Sequence, residues 1–209
     1  MKYVLKIVNA ILSISIIPAA IFLEFIFIQI SPTIAEVGVE ESFSLKRFYD
    51  IFVTGTDPFA LLISGDSVFV WPVAFDPLKP YLIASVVFFA LAIITALFIF
   101  VWSICSEKRL PVIIAGGSGI LFTILMTVCF SAGANLLTSG EINVIQALSG
   151  GGIIASLLGG FVSIDTFMLG AFKNAFIIIF AIIILWTLAF ILVDLGDEKE
   201  PKPAKSKKH

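Results

Sequence analysis

The sequence predicts an all-α membrane protein: four transmembrane helices in an antiparallel bundle, with a mainly helical extracytoplasmic cap built from two outer segments. Three observations predict it. Of 209 residues, 59% are hydrophobic and 13% charged, whereas soluble domains carry about 25% charged residues. Four runs reach or approach the roughly 20 apolar residues that a helix rising 1.5 Å per residue needs to cross the hydrocarbon core. The charges are also segregated, since those runs hold 96 residues but one of the 28 charged side chains, Glu24. The same composition excludes a disordered chain and, with two cysteines, a small disulfide-stapled domain.

The first unit, residues 1–30, has a basic start at Lys2 and Lys6 and an apolar span, Ile7–Ile30. Its 24 residues exceed a signal-peptide core of about 7 to 15, so it reads as an uncleaved anchor. Pro18 lies inside it and frees a carbonyl there. The first outer segment, 31–80, is not a linker. Leu45, Phe48, Tyr49 and Phe52 share one helical face, with Lys46, Arg47 and Asp50 opposite and Gly55 as a stop, which reads as an amphipathic helix. A second short helix is expected from Asp57-Pro58 to Gly65, and Ser67 to Trp71 is β-prone.

The second span, 81–105, and the third, 110–137, carry no charge and are joined by the hairpin Ser106 to Arg109, so they should be antiparallel neighbours. Pro111 suits the first turn of the third helix. The second outer segment, 138–174, opens on Thr138-Ser139-Gly140-Glu141, which has the form of a capping box, and a short helix to about Leu148 should follow. Within it, 151–172 is a fifth apolar stretch interrupted by Asp165 and marked by Gly152, Ser156 and Gly160. It reads as an interfacial or re-entrant element, or else as a close-packing helical face. A fifth crossing would leave only Lys173 and Asn174 before the last span, 175–193, and would put the C-terminal lysines outside. The tail, 194–209, is rich in Lys, Glu and Pro and is expected to be disordered.

Lysine and arginine count set the orientation, because basic loops stay cytoplasmic. With both termini cytoplasmic, nine basic residues lie inside and four outside, the latter outnumbered by acids such as Glu36, Glu40, Asp57 and Asp165. A plasma or cell membrane is the expected location. Tyr3 and Trp102 on the inner side, and Trp71 and Tyr81 on the outer, fit interfacial anchors.

The third span carries a stripe in steps of four: Ala115, Gly119, Thr123, Thr127, Ser131 and Asn135. Small residues so placed let a neighbouring helix approach, and their hydroxyls can bond across the contact or back to their own helix. Each step drifts about 40° on a 3.6-residue helix, which suits a right-handed crossing. The candidate packing seam is therefore Gly119, Thr123, Thr127, Ser131 and Asn135, with a polar wall of a permeation path as the alternative. Glu24 is the one ionisable residue in a span, about 27 Å of helix beyond Lys6, near the outer interface. Lys173 falls at the same level, so the two form a candidate intramembrane ion pair. Cys105 at the inner face and Cys129, about 28 Å into the third span, are too far apart to bond each other.

For enzyme chemistry the sequence offers little. The sole histidine is the terminal His209, and Gly116-Gly117-Ser118-Gly119 lies in a span and lacks the lysine of a phosphate loop. Glu36, Glu40 and Glu41 read as a solvated acidic face without calcium-loop spacing. No catalytic residue, metal site or cofactor is assigned, and nucleic acid is not an expected partner. The topology resembles that of claudin-like and tetraspanin-like proteins. The claudin signature of tryptophan, glycine and paired cysteines does not follow, because Trp71 stands without a cysteine in its segment. The expected role is a non-enzymatic accessory or scaffold in the lipid bilayer that binds another membrane protein or itself. The alternative is a small transporter or channel subunit.

Overall fold

The computed structural model describes residues 2–32, 39–50, 73–139, 142, 162–168 and 170–197. In chain order these form α1 (Lys2–Phe22), β1 (Glu24–Pro32), β2 (Val39–Ser44), α2 (Leu45–Tyr49), a 3-10 turn (Val73–Leu78), α3 (Lys79–Cys105), α4 (Leu110–Thr138), β3 (Val162–Met168) and α5 (Gly170–Asp197). Four helices are long and apolar enough to span a membrane: Tyr3–Phe22, Asp76–Cys105, Leu110–Thr138 and Phe172–Val193. The described chain is nearly all helical, and its four long helices pack as a ring in which α1 touches α3 and α5, while α4 touches α3 and α5.

Local sequence explains the helix ends. Pro80 occupies the first turn of α3 and Pro111 that of α4, where a missing N–H costs nothing. The four-residue loop between them is held by its own bonds: Trp102 Nε1 donates to the Lys108 carbonyl at 3.0 Å, and the Lys108 N–H donates to Ser106 Oγ at 3.2 Å. Pro18 sits within α1 without ending it.

Buried positions run down each long helix in alternating steps of four and three. In α4 one such row is Val112, Gly116, Gly119, Thr123 and Met126, beside which Ala115, Gly133 and Ala134 are also buried; in α3 it is Ala92, Ala96, Ile99 and Ser103, with Ser85 and Thr95 buried as well; in α5 it is Phe176, Phe180, Ile183, Thr187 and Phe190. In α1, Asn9, Ser13, Ile16 and Ala20 follow the same rhythm. A mean step of 3.5 is that of a left-handed bundle seam. The middle of the ring is filled by Ile16, Ile99, Phe176, Phe180 and Ile183, all completely buried. Because lipid is as apolar as these side chains, close packing and not water exclusion holds the helices together there. Gly116 and Gly119 permit the approach of α5, since a Cβ at Gly119 would stand 2.5 Å from the Phe180 ring and one at Gly116 2.7 Å from Ile184 Cγ1.

The first span is shorter than its hydropathy suggests. The expected helix over 7–30 stops at Phe22, and Glu24–Pro32 is instead the central strand of an antiparallel sheet ordered β2-β1-β3. Its register pairs Ile28 with Glu41 on one side and Thr166 on the other. The run Phe25 to Ile30 is aromatic and β-branched apart from Gln29, and a short apolar run of that kind is ambiguous between helix and strand until partner strands are known. β3 accounts for part of the fifth apolar stretch, so 162–168 is a strand rather than a helix; Gly152, Ser156 and Gly160 lie outside the described residues. The sheet follows α1 and precedes α5, at the end of the ring away from the Ser106–Arg109 loop.

Of the amphipathic helix expected from Leu45, the turn α2 is described; Ser44 caps it by accepting from the Arg47 N–H at 3.2 Å, and Lys46 pairs with Asp50 at 2.7 Å. The expected elements in 51–72 lie outside the described residues. Thr138 does not open a helix. It closes α4, its hydroxyl donating to the Asn135 carbonyl at 3.3 Å, and Glu141 and the helix expected after it are outside the described residues. α5 runs to Asp197, four residues into the tail expected to be disordered, because nothing before the prolines stops it. The remaining tail, 198–209, is outside the described residues.

Candidate functional site

Ser13, Ser85, Thr95 and Thr123 are buried and donate to carbonyls of their own helices, whereas Asn9, Ser103 and Thr187 lie toward the loop end of the ring. There Asn9 of α1, 2% exposed, donates through Nδ2 to Oγ1 of the fully buried Thr187 of α5 at 3.0 Å. One oxygen satisfies one N–H, and Asn9 Oδ1 remains buried without a partner among the described residues. Ser103 Oγ of α3 is in the same condition. A buried acceptor with no donor costs roughly 1–3 kcal/mol, so such groups mark places where something else can bind.

Asn9 and Thr187 line a cavity of about 350 Å³ whose other walls are Leu5, Lys6, the whole loop Ser106 to Arg109, and Val112. Three cations, Lys6, Lys108 and Arg109, face one anion, Glu107. Lys108 and Arg109 stand on the loop, whose backbone is tied by the Trp102 and Ser106 bonds, and Lys6 on α1. A second cavity, of about 140 Å³, lies toward the sheet and is apolar, lined by Phe25, Leu45, Phe89, Met126, Phe130 and Phe172 among others. Phe25, Phe89, Phe172 and Phe176 form a chain of ring contacts beside it, with centroids 4.9 to 6.1 Å apart.

The residues singled out in the sequence fall in several places. Ala115, Gly119 and Thr123 are buried, Thr127 is half-buried, and Ser131 and Asn135 are exposed. The divergence is geometric: five steps of about 40° carry the stripe roughly 200° around the helix, whereas the buried seam advances by 3.5 residues and stays facing the ring. The hydroxyls turn inward on their own helix, Thr123 Oγ1 donating to the Gly119 carbonyl at 2.8 Å and Thr127 Oγ1 to that of Thr123 at 2.9 Å. Glu24 opens β1, exposed and two residues beyond the end of α1, so it is not within a spanning helix. Lys173 lies half-buried in the first turns of α5, and the ion pairs among the described residues do not join it to Glu24. Cys105 and Cys129 are both free thiols.

Asn9, Ser103 and Thr187 escape a reading that searches for charges and four-step stripes. Their signal is present all the same: each is a polar residue at a 3.5-step position in an otherwise apolar helix. No protein-family model, no curated protein and no solved structure matches the chain.

Proposed function

We propose that the protein is a non-enzymatic accessory or scaffold of the cell membrane that binds another membrane protein or a second copy of itself. In this reading the four spans are antiparallel, both termini are cytoplasmic, and the two outer segments join as an extracytoplasmic cap. Contacts such as Asn9 with Thr187, Ser85 with the Met126 carbonyl, and the close approach of Gly119 to Phe180 support the alternating direction of the helices. The basic loop and the basic N-terminus at one end of the ring support the orientation.

The observation that carries the reading is the packed middle of the ring combined with the outward turn of the α4 stripe. Phe176, Phe180, Ile16 and Ile99 fill the middle, and the buried hydroxyls there, Ser13, Thr95 and Thr123, are spent on carbonyls of their own helices. Ser131 and Asn135 face outward, where a neighbouring helix could accept their polar groups more favourably than lipid does. Cysteine placed at Ser131 should give a disulfide-linked dimer in oxidised membranes, or a cross-link to a second protein in the native host. A cross-link to neither, together with a monomer in mild detergent, refutes the proposal.

The cavity at Asn9 favours a second reading, a small transporter or channel subunit, because it enters the ring from the loop end. Solute flux into liposomes carrying the purified protein, abolished by Asn9→Leu, would establish that reading instead.

A further inference from the structure

We propose that the cavity at the loop end of the ring binds the headgroup of an anionic glycerophospholipid, with the phosphate on Lys6 and Lys108 and a headgroup hydroxyl donating to Asn9 Oδ1. The volume, about 350 Å³, falls at the lower end of small-ligand sites, which run from roughly 300 to 1,000 Å³. Lys6, Lys108 and Arg109 against Glu107 leave the lining with an excess of positive charge, so it selects a phosphate over a cationic group. The second observation is independent of charge. Asn9 is 2% exposed, lines the cavity, and holds an acceptor oxygen for which the described residues supply no donor. An anion with no hydrogen to give would leave that oxygen unsatisfied, whereas the glycerol hydroxyls of phosphatidylglycerol supply one.

A lipid rather than a dissolved phosphate is favoured by what surrounds the mouth. Tyr3, Ile7 and Leu110, at 81%, 58% and 66% exposure, stand on the outward surfaces next to Lys6, the loop and Val112. These are apolar surfaces on spanning helices, along which acyl chains can lie while the headgroup enters between α1, α4 and α5. Basic recesses between helix ends at the cytoplasmic side are suited to acidic headgroups. The proposal does not depend on whether the protein also binds a protein partner.

The test uses the full chain purified in mixed micelles containing phosphatidylglycerol and phosphatidylcholine, with retained lipid measured by native mass spectrometry. Phosphatidylglycerol should be retained preferentially. Lys6→Gln with Lys108→Gln should weaken retention by roughly fivefold per lysine, about 25-fold together, while Lys205→Gln with Lys207→Gln in the tail should leave it unchanged. The double arginine variant, Lys6→Arg with Lys108→Arg, should bind, which separates lost charge from lost fold. Asn9→Ala should erase the preference for phosphatidylglycerol over phosphatidylmethanol, an equally charged phosphodiester whose headgroup has no hydroxyl, without lowering phosphatidylmethanol retention. Equal retention of phosphatidylcholine, or an equal loss in the tail variant, overturns the proposal. Complete displacement of the lipid by millimolar inorganic phosphate overturns it in favour of a solute site.

Discussion

One added methyl group should have opposite consequences at two glycines of α4 separated by a single residue. Gly119→Ala places a Cβ against the Phe180 ring at 2.5 Å, with similar approaches to two further ring carbons. Phe180 is completely buried and cannot swing away, so overpacking should destabilise the fold by about 1–3 kcal/mol. Gly117→Ala meets nothing within 4 Å and should be neutral or stabilise α4 by up to about 1 kcal/mol. Thermal unfolding of both variants in detergent checks the contrast. Thr187→Val removes the partner that the described residues give the Asn9 amide and should cost roughly 1–2 kcal/mol in the same assay, with Asn9→Leu/Thr187→Val recovering part of it. Gly119 was legible in the sequence as a close-approach residue because small side chains have one obvious use in a membrane helix. Asn9 and Thr187 were not, since their importance lies in meeting each other across 178 positions of chain.

At the level of elements, the long helices were legible from length and charge alone, and the facing ends of α3 and α4 from Pro111 and the loop residues, whereas the end of α1 at Phe22 and that of α5 at Asp197 were not. The sheet was not. Hydropathy places Phe25 to Ile30 in the membrane run that precedes it, and only pairing with 39–44 and 162–168 makes the extended form the better one. Of the seam, Gly119 and Thr123 are buried within the ring while Ser131 and Asn135 face outward, a division that hydropathy does not show because apolar residues surround each span on all sides. β1 is bonded along both edges, which makes it the sensitive strand. Ile28→Pro removes a ladder donor in the centre of the sheet, where proline is essentially never tolerated. The expected result is faster trypsin cleavage at Lys46 and Arg47, which follow β2, while spectroscopic helix content barely changes. Cleavage at the original rate would show that the sheet does not hold this segment.

The molecule as a whole has its polar recess and tight basic loop at one end of the ring and its sheet, with ion pairs such as Lys46 to Asp50 and Lys79 to Asp76, at the other. If both termini are cytoplasmic, Cys105, exposed at the loop end of α3, should react with a membrane-impermeant maleimide only when the cytoplasmic face is opened. Half-buried Cys129, well inside α4, should stay unlabelled from either side. The joining of β1 to β3 also bears on biosynthesis. β1 and β2 are close in sequence and can pair as soon as both leave the ribosome, but β3 begins at Val162 and Thr187 lies further still. A nascent chain must therefore hold α1 in the bilayer with a bare strand edge and an unmatched asparagine until its last span arrives. A product ending at residue 161 keeps that edge bare and should be cleared by membrane proteases within a fraction of the full chain's lifetime, as pulse-chase measurement would read.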